Sequence, residues 1–186
     1  MLLVVKACVL SIILLNFAYA DDDIKYEMFF DKLDLAKGKD ILAASELKIE
    51  KTGKTNFIFS GIVEHFKEFN DDWTIALKIS KSDTADGEYR SLIDYPITGK
   101  KGVCAALKNE YKKYFYDSIK DCSTAPHFDL CPLKEAKYSF DKCSFDASVF
   151  EKYLSKGYYI FKVFISHLEE SDLVEYDLFA HLEDVK

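Results

Sequence analysis

Arginine and long hydrophobic runs are scarce in this sequence. Arg90 is the only arginine among 25 basic residues, and 32 acidic residues outnumber them to give a formal net charge of −7. Because the lysines are scattered among carboxylates, binding to nucleic acid or to an anionic membrane by charge alone is disfavoured. Beyond residue 20, no run reaches the roughly 18 apolar residues that a transmembrane helix needs. We therefore expect neither a nucleic-acid-binding protein nor an integral membrane protein.

Signatures of catalysis and of metal binding are also missing from the sequence. It contains no G-x-S-x-G, no H-E-x-x-H, no glycine-rich phosphate loop and no C-x-x-C. Glu64 and His65 could form an acid–base pair, but neighbours in a strand point to opposite faces. His127 near Asp129 is the other possible pair, and we interpret every histidine as solvated or structural. The sequence therefore predicts no enzymatic activity, no metal site and no cofactor.

Residues 1–20 have the features of a secretory signal peptide. Lys6 precedes an apolar run from Ala7 to Leu15, and Ala18-Tyr19-Ala20 is a small-x-small cleavage site. Cleavage before Asp21 would leave one secreted, extracellular domain, residues 21–186. Removing Lys6 would make the net charge more negative still.

The cysteines that follow the signal peptide predict two disulfides. Four of them lie in the secreted part: Cys104, Cys122, Cys131 and Cys143. Four cysteines in an oxidising compartment are typical of two disulfide bonds, and the sequence alone permits three pairings.

Most of the secreted part alternates with the period of a β-strand. A first strand is predicted at Ile24–Leu35, and Leu47 and Ile49 share one face of a second. Thr52-Gly53-Lys54 predicts a turn, and the chain returns through Thr55–Phe69 with Gly61 as a bulge or bend. The turn Asn70–Asp72 leads to a strand at Trp73–Ser80, which completes a predicted three-strand meander.

The C-terminal half predicts one helix and a final hairpin. Tyr89–Tyr95 is a further strand, ended by Pro96. Apolar residues three and four apart in Val103–Ile119 predict an amphipathic helix. Tyr158–His167 and a strand from Val174 onwards form a hairpin around the turn Glu169–Asp172. The predicted fold is mainly β, an antiparallel sandwich or cup of about 7 to 8 strands with one amphipathic helix at an edge or end and two disulfides.

Three groups of residues in this half resemble the ganglioside-activator proteins. They are Cys131-Pro132-Leu133-Lys134-Glu135, Tyr138-Ser139-Phe140 and Gly157-Tyr158-Tyr159, whose order and spacing are similar to CP-F-K-E-G-x-Y and G-x-Y-R in that family. With Gly102 to Leu107 added, the sequence is closer still to an insect family of secreted domains of unknown function that includes the Che-type chemosensory proteins. The chain has fewer cysteines than the ganglioside activator, and Tyr159 stands where that family's arginine follows. Glycolipid specificity is therefore not carried over.

The resemblance implies a β-cup or sandwich of the ML lipid-recognition kind, with a hydrophobic cavity between splayed sheets. It also implies the pairing Cys104–Cys131, which leaves Cys122–Cys143 as the second disulfide. Proteins of the ganglioside-activator type lift or present a lipid, and the insect relatives are associated with cuticular hydrocarbon pheromones. Residues 21–186 are thus expected to form a single ML-like lipid-binding domain.

Ten inward-facing residues are the candidate lining of such a cavity. They are Leu47, Ile49, Phe57, Phe59, Trp73, Ile75, Leu77, Phe161, Val163 and Leu178. These residues could equally fill a solid core, because close-packed and hollow sandwiches alternate alike. The resemblance favours the cavity and so a non-catalytic secreted carrier of a lipid or other hydrophobic small molecule, such as a pheromone-like hydrocarbon. The alternative is a secreted protein-interaction or signalling module with a filled core, no ligand and a protein receptor as its partner.

Overall fold

The computed structural model describes residues 26–92, 99–148, 153–168 and 170–185, with the backbone alone at 171 and 172. The predicted signal peptide at 1–20 lies outside these residues, as do the first two residues of the predicted strand Ile24–Leu35 and the end of the predicted strand Tyr89–Tyr95. In the part of the chain that the structure describes, no helix combines the length and the hydropathy that a bilayer crossing needs.

The described residues form nine strands in two antiparallel sheets, so the predicted fold class is confirmed. A large sheet has the order β1-β9-β8-β4, and the short strands β5 and β6 both pair with the outer edge of β4. A small sheet has the order β2-β3-β7. The bounds are β1 Tyr26–Lys37, β2 Leu42–Lys51, β3 Asn56–His65, β4 Trp73–Ser82, β5 Arg90–Leu92, β6 Gly99–Gly102, β7 Ala136–Asp146, β8 Gly157–His167 and β9 Glu170–Asp184.

The predicted three-strand meander is wrong, because β4 does not pair with β3. It crosses to the large sheet and pairs with β8, from Trp73 opposite His167 to Ser82 opposite Tyr158. The segment after β3 pairs with the segment before β7 instead. There, the backbone groups of Phe69 and Leu133 exchange two hydrogen bonds of 2.8 Å. An alternating pattern shows that one face of a strand is buried but does not identify the neighbouring strand.

The final hairpin is tighter than predicted. His167 pairs with Glu170, so β9 begins inside the predicted turn Glu169–Asp172. Leu168 has a φ of 49°, the left-handed backbone that short hairpin connections require. The inward positions predicted for this strand, from Val174 to Leu182, do face the apolar side of β8.

The predicted helix is present, but its middle has wider turns than an α-helix. It consists of α-helical Val103–Ala106, π-helical Leu107–Tyr116 and α-helical Asp117–Ile119, and we call the whole segment α1. Its start follows β6 at the edge of the large sheet, while the Phe115 ring stacks on Phe145 of β7 at 5.7 Å between centroids. The helix therefore bridges one edge of each sheet and forms a side wall of the sandwich.

Both disulfides join the cysteines that the resemblance implies. Cys104 at the start of α1 is bonded to Cys131, and Cys122 just beyond its end is bonded to Cys143 of β7. The pairs are 27 and 21 residues apart. In the chain-entropy model, loops of this length each contribute roughly 3 to 4 kcal/mol by restricting the unfolded chain. Both ends of the helical wall are therefore covalently held.

The buried core is divided into two clusters at opposite ends of the sandwich. The first end cluster contains Met28, Phe57, Ile79, Ala147, Leu154, Tyr159 and Leu182. The second end cluster contains Phe69, Trp73, Val103, Leu133, Ile165 and Val174. Trp73 and Ile79 begin and nearly end the same strand, so the central part of β4 lies between the two clusters.

Candidate functional site

The inner face of the large sheet becomes more exposed from the β4 side to the β1 edge. Strand register places Ile79, Phe161, Leu178 and Leu33 in one row across β4, β8, β9 and β1. Ile79 is 1% exposed, whereas Leu33 at the other end of the row is 37% exposed. Phe161 and Leu178 lie between these extremes although they belong to central strands. Water therefore reaches this face from the β1 side.

The small sheet shows the same gradient on its facing side. Cys143, Phe59 and Ile49 form a row across β7, β3 and β2. Cys143 is fully buried, Phe59 is partly buried and Ile49 is 42% exposed. The buried ends of both rows lie on the side that α1 covers, and the exposed ends lie on the side of β1 and β2.

Along both rows, burial decreases towards the side of β1 and β2. We call the space between the two rows the inter-sheet cleft, and its outlet between Leu33 and Ile49 the side opening. A fully packed sandwich would bury the inner faces of its central strands, since protein interiors are packed as densely as organic crystals. Phe59, Phe161 and Leu178 are instead only partly buried.

Contacts between the sheets limit the side opening at both of its ends. Near the first end cluster, the Met28 N–H donates to the Lys54 carbonyl at 3.0 Å, and the Lys51 ammonium pairs with Glu27 at 2.7 Å. Near the second, the Tyr176 hydroxyl lies 3.5 Å from the Leu42 carbonyl. These contacts hold the large sheet against the small sheet on either side of the side opening.

The interior of the cleft is uncharged, while its rim carries both signs of charge. Both rows consist of apolar side chains and a disulfide sulfur. Burial raises the pKa of Tyr176 to about 12, so its hydroxyl remains neutral. On the rim, Lys32 and Asp34 form an exposed ion pair at 2.7 Å. The hydrogen bond and charge of Lys32 hold the pKa of Asp34 below its ordinary value.

The structure separates the ten predicted lining residues into three groups. Phe57 and Trp73 lie in the buried first and second end clusters, respectively. Leu77 and Phe161 pack against the first end cluster, and Ile75 packs against the second. Among the described contacts, neither cluster includes the partly exposed remainder, Leu47, Ile49, Phe59, Val163 and Leu178.

Sequence reasoning missed Leu33, Leu35 and Tyr176, which complete the inner face of the large sheet. Leu33 faces Leu178, and Leu35 faces Tyr176 opposite Val163. A bulge between Phe30 and Lys32 shifts the alternation of β1, so Phe30 and Leu33 share a face although three positions separate them. For Tyr176, its apolar neighbours at two-residue spacing, Val174 and Leu178, were the available signal.

The histidines considered as general bases have structural or solvated surroundings. His65 is buried, and its Nδ1 must carry hydrogen because its partner at 2.8 Å is the Lys67 carbonyl. In the neutral ring, Nε2 then accepts a hydrogen bond from the Tyr138 hydroxyl at 3.3 Å. His127 Nδ1 accepts a hydrogen bond from the Asp129 N–H at 3.3 Å, and both side chains are more than half exposed.

Comparison with known proteins gives one family match. Residues 75–161 match the model of a family described as a protein of unknown function (DUF1091). The matched range runs from β4 through α1, both disulfides and β7 into β8. No curated protein matches the chain. The similarity therefore covers the helical wall and the buried ends of both rows.

Proposed function

We propose that the protein is a secreted carrier that holds a lipid or another hydrophobic small molecule in the inter-sheet cleft, without catalysis. The observation that carries the proposal is the loss of burial along both facing rows, from Ile79 to Leu33 and from Cys143 to Ile49. An apolar, uncharged and partly hydrated space between two sheets can take up an alkyl chain. Secretion is consistent with the two disulfides.

The energetics of such capture follow from transfer of the chain out of water. Each methylene moved into apolar surroundings contributes about 0.8 kcal/mol, so an alkyl chain of about a dozen carbons can offset the entropic cost of association. The chain would enter through the side opening and extend towards the buried ends of the rows beside α1. The two disulfides hold this wall in place, which limits the ordering cost on binding.

The polar end of an amphiphilic ligand would remain at the side opening. Exposed Lys48 and Glu50 alternate with Ile49 on β2, and Lys32 and Asp34 flank Leu33 on β1. Because positive and negative groups alternate on both strands, the rim does not select for one sign of head-group charge. A hydrocarbon of the pheromone kind, as the family resemblance implies, would need no head-group contact.

The first experiment asks whether the purified protein contains a ligand. Native mass spectrometry of the secreted protein, before and after organic extraction, should show a mass that disappears on extraction. A labelled fatty acid should then bind the extracted protein and be displaced by an unlabelled hydrocarbon chain. Failure of the extracted protein to bind any such chain would support the alternative, a protein-interaction or signalling module without a ligand.

A matched pair of variants tests whether the binding occurs between the sheets. Val163→Trp enlarges a residue of the inner face, opposite Leu77 and Tyr176, and should weaken fatty-acid binding at least roughly tenfold by occupying the cleft. Ile160→Trp places the same side chain on the outer face of the same strand and should bind as the wild type does. If the middle were a filled core, Val163→Trp would instead destabilise the fold by about 1–3 kcal/mol through overpacking.

A further inference from the structure

A groove of about 610 Å³ lies along the outer side of α1, separate from the residues that line the side opening. The π-helical segment forms most of its wall, and Phe128 from the following loop contributes an aromatic ring. The Tyr116 ring packs edge-on against Phe128 at 4.9 Å between centroids. The groove therefore includes two aromatic rings among its polar and charged lining residues.

The acidic residues of the groove already have partners outside it. Glu110 pairs with Lys101 of β6, and Asp117 pairs with Lys120 at 2.8 Å. By contrast, Lys108, Lys112 and Lys113 are exposed, and no ion pair to any of them occurs among the described contacts. The Lys112 ammonium instead lies 4.2 Å from the centre of the Phe128 ring. In the part of the chain described, the groove thus carries three lysines without a carboxylate in salt-bridge contact, although the charge of Glu110 acts on Lys113.

The π-helical turns are what bring the three lysines together. Hydrogen bonds between residues five apart make positions i+4 and i+5 lie on either side of position i, one turn later. Lys112 and Lys113 stand four and five residues after Lys108, so both lie near its face of the helix. In an α-helix, Lys113 would be turned away from Lys108, because residues five apart do not share a face. Wide turns of this kind are rare and often occur at functional sites.

The charge of the whole molecule makes this groove distinct. The chain has a net charge of −7, so an acidic partner is repelled by most of its surface. Complementary charge directs encounter and orientation more than it determines affinity. A partner with several carboxylates is therefore steered to the groove on α1.

We propose that the groove on α1 binds an acidic peptide segment of a protein partner. Carboxylates of the segment pair with Lys108, Lys112 and Lys113, and an apolar side chain of the segment packs on Phe128 and Tyr116. A peptide fits because the site is concave and has an aromatic floor, which a flat anionic membrane could not reach without approaching the acidic surface around it. This site does not depend on the inter-sheet cleft or on any ligand held there.

The test is a binding titration on the protein produced from its full sequence. A rhodamine-labelled peptide of alternating glutamate and leucine should bind saturably, and its affinity should fall as the salt concentration rises. Replacing all three lysines with glutamine, Lys108→Gln with Lys112→Gln and Lys113→Gln, should weaken binding at least roughly tenfold and remove most of the salt dependence. The same peptide with glutamine in place of glutamate should not bind.

The control has the same change in net charge at distant exposed positions. Lys54→Gln, Lys67→Gln and Lys137→Gln together should leave the affinity within about twofold of the wild type. Equal weakening by both triple variants, or no binding to the wild type, would overturn the proposal. Displacement of the peptide by a fatty acid would indicate that the peptide binds in the inter-sheet cleft. That result would also overturn the proposal. Lysine-dependent flotation with anionic phospholipid vesicles, without peptide binding, would identify a membrane as the occupant instead.

Discussion

Asp146 shows how one side chain secures the junction between β3 and β7. Its Oδ1 accepts hydrogen bonds from the Thr55 hydroxyl at 3.0 Å and the Ser148 N–H at 2.9 Å, and its Oδ2 accepts one from the Ser148 hydroxyl at 2.8 Å. Burial by itself would raise the pKa of Asp146, but these hydrogen bonds to the ionised form outweigh it. The pKa of Asp146 in the folded protein is therefore below its ordinary value.

The Asp146 contacts predict a pH-dependent contribution to stability. Because the pKa is lower in the folded state, the contribution is complete above the ordinary pKa of 3.8 and is lost as the pH falls through the depressed value. Asp146→Asn should reduce the free energy of unfolding by about 1 kcal/mol or less at neutral pH, since solvent screens a largely exposed carboxylate. Urea unfolding at neutral and acidic pH measures the difference in the free energy of unfolding between the variant and the wild type, and this difference should become smaller in acid. Asp71→Asn, an exposed control, should have no effect, and a difference independent of pH would contradict the assignment.

At the scale of the element, a glycine in β3 allows β2 to approach β3 closely. Pairing with β7 is irregular between Phe59 and Gly61, and pairing with β2 is irregular between Ser45 and Lys48. Gly61 has a φ of 147°, and a Cβ there would lie 2.5 Å from Leu47 Cδ2 and 3.0 Å from Leu47 Cα. The bulge or bend predicted at Gly61 is therefore confirmed, and the structure adds its reason, the close approach of Leu47.

Gly61→Ala should accordingly be a costly substitution. The added methyl must displace Leu47 and occupy a backbone conformation that alanine avoids, so we expect a loss of about 2 kcal/mol in the free energy of unfolding. Gly102→Ala is the matched control: its φ is −59° and no heavy atom lies within 4 Å of the added carbon. That variant should be neutral or more stable by about 0.5 kcal/mol. Equal effects in thermal or urea unfolding would count against a role for the bulge.

The helix illustrates how far a sequence pattern can define an element. Its bounds were predicted correctly at Val103–Ile119, because apolar residues recur along that segment. Its wide turns were not predicted. The recurrence at a spacing of four, through Leu107, Tyr111 and Phe115, is longer than the α-helical period and was the available signal. Disulfides at both ends hold the segment across the two sheet edges, a constraint that local periodicity does not contain.

At the scale of the whole molecule, the inter-sheet cleft predicts unequal costs for similar truncations in one row. Ile79→Ala removes buried methyl groups from the first end cluster and should cost about 2–5 kcal/mol. Leu178→Ala, two strands away in the same row, removes a side chain that already meets water and should cost about 1 kcal/mol. Urea unfolding of the two variants measures both costs. Equal costs would show that the middle of the sandwich is packed as tightly as its ends.

The alternation of the predicted lining residues did not indicate how deeply each of them is buried. Phe57 and Trp73 alternate in the same way as Phe59 and Ile75, yet they fill the end clusters. Which residues cover an inward side chain depends on how the two sheets and the helix pack together, and alternation does not contain that information. The same limit explains the error about β4, whose apolar face was recognised but whose neighbour was not.

The sequence by itself determined the elements of this protein. Period-two alternation, turn residues, Gly61 and four cysteines specified a disulfide-bonded, mainly β domain with one helix, because these signals act between residues close in the chain. Only the tertiary structure decided which sheet β4 joins, where the helical wall stands and towards which side the burial of the inner faces decreases. Those properties depend on how the two sheets pack against each other. Alternation shows that one face of a strand is buried, but it does not show how closely the opposite sheet approaches that face.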